Sequence, residues 1–300
     1  MKLGIGLTDF SWPIPTGQIG PMVADLAQQA DESGFDSLWV MDHFFQINLS
    51  GLPPESPMPE AYATLGFLAG ITRRIRLGTL VTSVAYRNPG VLIKSLTTLD
   101  VFSGGRMYFG VGAGAPFDPA TREGIFEAQG LGIEFPSLGQ RFEMLEELLQ
   151  IAHRMWDGDE TPFHGKHYDL ERLLNSPNSV QRPRPPILIA GSGERKTLRL
   201  VAQYGDACSL FDLPGDGYAD DIAHKLEVLR AHCTEAGRDF DEIEKTCTTR
   251  QDPSDGEAFI KHMGELAALG IDHVLVGSQE PWDEKRMARM AELLPEVHAF

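Results

Sequence analysis

Ser37-Leu38-Trp39-Val40-Met41-Asp42-His43 reads as a short buried strand that ends in an acid and an imidazole. Such an apolar run alone says only that it lies in a core. The pair Asp42-His43 at its carboxyl end, followed by Phe44-Phe45-Gln46, says more. Ligands of α/β proteins sit at that end of parallel strands. An imidazole there can take or give a proton near neutrality, and a neighbouring carboxylate can orient a ring or hold an amide.

Working outward, the same rhythm of strand and helix runs along most of the chain. Leu3 to Thr8 is expected as the first strand, and Pro21 to Ser33 as a helix closed by Gly34. After the Asp42-His43 strand come a helix from Pro59 to Gly70, a strand from Ile75 to Thr82, a helix from Pro89 to Phe102 and a strand from Arg106 to Gly112. Ala113 to Leu138 breaks the rhythm and reads as an active-site loop. Arg141 to Trp156 is an amphipathic helix, with Phe142, Leu145, Leu148, Leu149 and Ala152 on one side. Phe163 to Tyr168 reads as a hairpin, and the proline-rich Arg182 to Pro186 as a rigid entry to the next strand.

The alternation then resumes with strands at Ile187–Ala190, Ala207–Phe211, Glu244–Thr249 and His273–Gly277. The intervening helices are Glu194–Gln203, Tyr218–Ala236, Ser254–Leu269 and Asp283–Leu294. Eight strand–helix units with an insertion after the fourth strand predict an α/β fold, a (β/α)8 barrel spanning 1–300 as one domain, with the insertion at about 115–185. An internal echo supports it: Gly34-Phe35-Asp36-Ser37-Leu38-Trp39-Val40 and Gly270-Ile271-Asp272-His273-Val274-Leu275-Val276 share one pattern at a helix-to-strand joint. The first strand–helix turn lacks the glycine spacing of a dinucleotide fingerprint, which weakens an open doubly wound sheet.

Composition narrows the classes of function. The 300 residues carry 42% hydrophobic side chains, enough for a full core, and a formal net charge of −17, which argues against nucleic acid or anionic membrane as a partner. Three cysteines without a C-x-x-C pair suggest reduced thiols and a cytoplasmic location. The amino terminus enters a strand with no secretory pattern, and no apolar run approaches the roughly 18 residues of a membrane helix.

Two glycine-rich turns join Asp42-His43 as candidate sites. Ala190-Gly191-Ser192-Gly193 lies between a strand and a helix, where backbone N–H groups can approach an anion. It is not a nucleotidase loop, because no glycine precedes Lys196 at the required place, so it suits a phosphorylated cofactor that is held and not cleaved. Gly110-Val111-Gly112-Ala113-Gly114 ends the fourth strand with small residues that let a flat ring lie against backbone. His164 and His167 form an H-x-x-H in a hairpin without further ligands, so no metal is expected.

Taken together, these stretches resemble the luciferase-like monooxygenase superfamily, and within it the group that uses deazaflavin coenzyme F420. The resemblance rests on Met41-Asp42-His43-Phe44, Leu77-Gly78-Thr79-Leu80-Val81-Thr82, Arg87-Asn88-Pro89, Leu99 to Arg106, Gly110 to Gly114 and Pro186 to Gly193, in the family's order, to about residue 210. It implies the barrel with its insertion, and a cofactor ring in the barrel mouth. Asp42 and His43 would then lie beside the ring and the substrate as catalytic residues, with Asp42 also touching the cofactor. The resemblance further implies that Thr79, Leu80 and Val81 form a shelf containing a non-prolyl cis peptide. Gly112 and Ala113 would border the ring, and Ala190, Gly191, Ser192 and Gly193 would hold the phosphate. It implies hydride transfer between F420 and a small organic substrate, and a homodimer.

One departure stands out. The sugar-phosphate dehydrogenases of the group carry a catalytic Glu where this chain has Ala115, which leaves Glu123 or Asp118 of the insertion as acids that could approach. Two readings compete: a monooxygenase using reduced FMN, and a non-catalytic flavin carrier. A barrel aldolase or isomerase is disfavoured by the absence of an evident lysine at a strand end.

Overall fold

Residues 1–47, 52–114, 123–212, 217–278 and 280–300 are described by the computed structural model of the chain. The staves of the main sheet begin with β1 (Lys2–Leu7) and β2 (Ser37–Val40). β3 (Arg76–Thr79) and β4 (Thr82–Ser83) are two halves of one stave, followed by β5 (Phe109–Gly112). The short β6 (Phe163–His164) and β7 (Asp169–Leu170) pair antiparallel as the expected hairpin. The ring is completed by β8 (Ile187–Ala190), β9 (Ala207–Phe211), β10 (Glu244–Thr249) and β11 (His273–Gly277). The sheet order is β3-β2-β1-β11-β10-β9-β8-β5-β4 with every neighbour parallel. A bridge between Leu77 and Met107, with Tyr108 N–H donating to the Leu77 carbonyl at 2.7 Å, closes it into the expected barrel.

Helices clothe the outside: α1 (Ile19–Ser33), α2 (Ala61–Ile71), α3 (Pro89–Ser103), α4 (Glu123–Gly130), α5 (Leu138–Asp157), α6 (Thr197–Tyr204), α7 (Tyr218–Ala236), α8 (Gly256–Ala268) and α9 (Glu284–His298). Strand alternation divides the buried apolar residues into two cores. Leu3, Ile5, Leu38, Phe109, Ile189, Cys208 and Val274 face the helices, whereas Trp39, Tyr108, Leu188, Ala207 and Leu275 fill the barrel interior. Below them a polar floor plugs the amino-terminal end. Trp39 Nε1 donates to Ser37 Oγ at 2.7 Å, Ser37 Oγ lies 2.8 Å from His273 Nε2, and Glu244 accepts from Tyr108 OH at 2.8 Å and Lys2 Nζ at 2.7 Å.

The Gly-x-Asp echo is a structural device. Gly34 and Gly270 take φ of 91° and 90°, the left-handed backbone that glycine adopts without strain. Two residues on, Asp36 accepts the Leu3 N–H and Asp272 the Lys245 N–H, each at 2.8 Å. Each carboxylate thus ties the start of its own strand to the start of the neighbouring stave. Asp206 repeats the tie on the Ile187 N–H at 2.9 Å.

Three expectations need correction. The stretch 113–138 is not loop throughout, since α4 lies inside it and α5 starts at Leu138 on a capping box of Ser137 and Gln140. The strand expected over 75–82 is interrupted between Thr79 and Thr82 by a cis Leu80–Val81 peptide. Val91, which helical spacing with Leu92, Leu96 and Leu99 would put on the apolar side of α3, is 63% exposed because the helix turns Leu92, Ile93 and Leu96 inward instead.

Candidate active site

The carboxyl ends of the staves carry the sequence-predicted residues to one mouth. β2 is buried throughout, and immediately beyond it the chain presents Asp42 and His43. Asp42 is 2% exposed, and both its oxygens are held by Arg87, at 2.5 Å from Nη1 and 2.8 Å from Nη2. The same guanidinium reaches Glu60, the N-cap of α2, at 2.5 Å, and lies over the Tyr62 ring at 4.6 Å. Burial pushes the Asp42 carboxyl above its ordinary range against the pull of Arg87.

The carboxylate that meets the imidazole is Glu127 of α4. His43 Nδ1 lies 2.7 Å from Glu127 Oε1, which also accepts the Tyr86 hydroxyl. Glu127 Oε2 accepts the Phe44 N–H at 2.7 Å and the Phe45 N–H at 3.4 Å. Glu127 is 1% exposed. Burial pushes its carboxyl up, yet His43, Tyr86 and the Phe44 N–H together hold it below its ordinary value. Tyr86 packs between Phe44 and Phe135, and the Arg141 guanidinium covers Phe135 at 4.1 Å. Arg141 in turn donates to the carbonyls of Ala113 at 2.7 Å, Gly114 at 2.6 Å and Pro136 at 2.6 Å, stapling the insertion to the end of β5.

The cis Leu80–Val81 peptide forms a shelf in the wall of the mouth, and its two side chains pack on the interior core with Ala190. Thr79 does not offer its hydroxyl to the mouth, because Oγ1 donates to the Gly110 carbonyl at 2.8 Å and accepts from Thr82 at 3.0 Å. Gly110 is obligatory here: a Cβ would stand 1.8 Å from the Thr79 carbonyl oxygen. At Gly112 a Cβ would come within 3.3 Å of Val81 Cγ2 and 3.5 Å of the Ala190 carbonyl, so β5, the shelf and β8 adjoin. Across the barrel, alternation puts Ser209 and Thr248 on the inner face, above Ala207 and Thr246. Ser209 Oγ and Thr248 Oγ1 are buried without a hydrogen-bond partner, which a polar guest in the mouth would satisfy.

The Ala190–Gly193 turn has the shape of an anion cradle. Gly191 takes φ of 118°, a conformation that excludes side chains. Ser192 and Gly193 are exposed, and among the described residues their N–H groups have no backbone or side-chain acceptor. α6 begins only at Thr197, later than expected, and its N-cap Lys196 makes no side-chain capping bond, so donors stay open towards the turn. Arg195 and Lys196 add exposed positive charge beside it.

Sequence reasoning missed Glu127, Tyr86, Arg87 as the partner of Asp42, and the pair Ser209 and Thr248. Ala115 and Asp118 lie outside the described residues, and the described part of the insertion supplies an acid through Glu127. His164 Nδ1 lies 2.5 Å from Asp169 within the hairpin, and His167 Nε2 lies 2.7 Å from Glu143 of α5, as hydrogen bonds. Among the described residues no cluster of His, Cys, Asp and Glu suits a metal ion, and no helix is long and apolar enough to cross a membrane.

Known proteins share this architecture. An F420-dependent glucose-6-phosphate dehydrogenase of Nakamurella multipartita is 29% identical over 293 residues, covering 95% of this chain and 79% of its own. The structure of an F420-dependent secondary alcohol dehydrogenase in complex with an F420-acetone adduct superposes with a TM-score of 0.81 at 19% identity, covering 99% of this chain and 98% of that one. The monooxygenase RslO1 from Streptomyces bottropensis superposes with a TM-score of 0.77 at 21% identity over the whole of both chains. The sequence model of the luciferase-like monooxygenases matches residues 1–297, which leaves almost nothing of the chain outside it. This protein belongs to the luciferase-like monooxygenase family.

Proposed function

We propose that the protein is an F420-dependent oxidoreductase that moves a hydride between the deazaflavin and a small organic substrate such as an alcohol, an imine or an activated alkene. The observation that carries the reading is the His43–Glu127 pair, 2.7 Å apart, at the edge of a mouth that also holds a backbone shelf and an open anion cradle. When bound, the deazaflavin supplies the redox chemistry; the protein supplies placement and proton management. His43 takes the hydroxyl proton of an alcohol as the hydride leaves carbon, or returns a proton in the reverse direction. Leu80, Val81, Gly112 and Ala113 border the ring, and the turn of Ala190, Gly191, Ser192 and Gly193 holds the phosphate through its open N–H groups. Thr79 serves by pinning the shelf to Gly110. Asp42 belongs to the site through Arg87, which locks the strand end that presents His43.

The relatives' names support the cofactor assignment, since those proteins are F420-dependent dehydrogenases. Arg195 and Lys196 beside the cradle suit the acidic tail of F420. The insertion at 115–185 shapes the substrate pocket with Phe135 and Tyr86. Three free buried cysteines fit a reducing, cytoplasmic setting. Exposed Phe67 of α2 and Phe102 of α3, at 43% and 77%, give the apolar surface that a homodimer would cover.

Fluorescence titration of the apoprotein with F420 and with FMN tests the assignment. The expected result is F420 binding at least about tenfold tighter, or about 1.4 kcal/mol. A preference for FMN moves the protein to the monooxygenases, and binding of neither removes the cofactor reading altogether.

A further inference from the structure

Among the described residues the insertion contributes the buried carboxylate of Glu127 to this mouth, and its hydrogen bonds dictate its state. The N–H groups of Phe44 and Phe45 can only donate, so Glu127 Oε2, which accepts both, carries no proton. Oε1 faces His43 Nδ1 and the Tyr86 hydroxyl. His43, Tyr86 and the Phe44 N–H hold the carboxyl below its ordinary value, so Oε1 carries no proton either, and facing an acceptor-only carboxylate the ring nitrogen must carry the hydrogen.

We propose that Glu127 is the positioning residue of this site: from α4 it fixes His43 as the Nδ1–H tautomer, leaving Nε2 as the nitrogen that exchanges the substrate's proton. This rests on the proposed function for its catalytic meaning, but the tautomer itself is a property of the apoprotein. The arrangement also joins two parts of the molecule. The insertion that walls the substrate pocket is the same segment that sets the imidazole, so displacement of α4 would unmake the proton-transfer group along with the pocket wall.

A substitution sharpens the argument. In Glu127→Gln the N–H groups of Phe44 and Phe45 still demand an acceptor at the Oε2 position, and the amide oxygen must go there. The amide NH2 then faces His43 Nδ1 and Tyr86, whose oxygen can accept. His43 is driven to the Nε2–H tautomer, with no lone pair at Nε2.

The test is long-range 1H–15N correlation of the apoprotein labelled at histidine, recorded in mildly alkaline solution. Wild type should show Nδ1 protonated and Nε2 unprotonated, and Glu127→Gln the reverse. With F420 and a substrate, kcat of Glu127→Gln should fall by at least about a hundredfold, the cost expected of a wrong tautomer, with F420 affinity within about twofold. A wild-type His43 protonated at Nε2, or a Glu127→Gln protein that keeps Nδ1–H, overturns the proposal. Tyr86→Phe is the companion variant: it retains the carboxylate and should keep the wild-type tautomer, and loss of that tautomer counts against Glu127. The wild-type spectrum alone can overturn the proposal even if Glu127→Gln does not fold. Correct tautomers without F420-linked turnover in wild type would instead count against the proposed function.

Discussion

Replacing His43 with glutamine lowers kcat for F420-linked turnover by about a hundred- to ten-thousand-fold, the range that a positioned acid–base group contributes. F420 affinity should stay within about twofold, because the proposed phosphate cradle at Gly191 to Gly193 and the proposed ring shelf at Leu80–Val81 lie on other staves. The basis is geometric: His43 follows directly on the buried strand β2, and its Nδ1 sits 2.7 Å from a carboxylate that is 1% exposed. Glutamine keeps a polar side chain of similar reach but cannot take up a proton. Steady-state kinetics paired with the fluorescence titration separates the two effects. An unchanged kcat would remove His43 from the chemistry, and a collapse of affinity would make it a cofactor ligand.

Arg87→Met carries the largest expected cost to stability. Asp42, 2% exposed, would lose both of its hydrogen-bonded partners from Arg87, and Glu60 would lose its ion-pair partner as well. Removing one member of a buried pair costs about 3–5 kcal/mol because a charge is left uncompensated. The pH dependence has a definite sign. Burial already raises the Asp42 carboxyl above its ordinary value, and without the guanidinium it rises further. A carboxyl whose folded value is raised lends stability below its unfolded value and loses it as pH rises. The deficit of Arg87→Met should therefore be smallest in acid and grow towards neutrality. Urea denaturation across pH measures it, and Asp42→Asn in the same chain should recover much of the loss by removing the stranded charge. A deficit below about 1 kcal/mol at neutral pH would place Asp42 in the class of screened surface pairs.

The barrel was legible because its signals are local. Each stave is a short apolar run bounded by a turn, and the Gly-x-Asp echo at 34–36 and 270–272 repeats because each copy does the same work, capping the start of a neighbouring strand. The strand end at Asp42-His43 and the glycine turn at 190–193 were readable for the same reason. What stayed hidden is carried by contacts between distant residues. Glu127 stands 84 positions from His43, and Arg87 stands 45 from Asp42, and no periodicity links such pairs. α4 went unseen because eight residues hold little more than two turns, and its anchor is the carboxylate bonding of Glu127 to the β2 end more than an apolar stripe. Ser209 and Thr248 look like ordinary strand residues until closure of the barrel shows that they share its inner face.

Direct passage of hydride between a substrate carbon and F420 is tested by isotope transfer without oxygen. The protein, oxidised F420 and a panel of secondary alcohols carrying deuterium at the carbinol carbon are incubated anaerobically, and the reduced cofactor is examined by mass spectrometry. The expected result is F420 reduction with at least one alcohol, one deuterium retained in the reduced ring and none exchanged to solvent, and loss of the reaction in His43→Gln. It is contradicted if no alcohol, nor any carbonyl, imine or activated alkene in the reverse direction, exchanges hydride with F420 while reduced FMN supports oxygen uptake with an organic substrate.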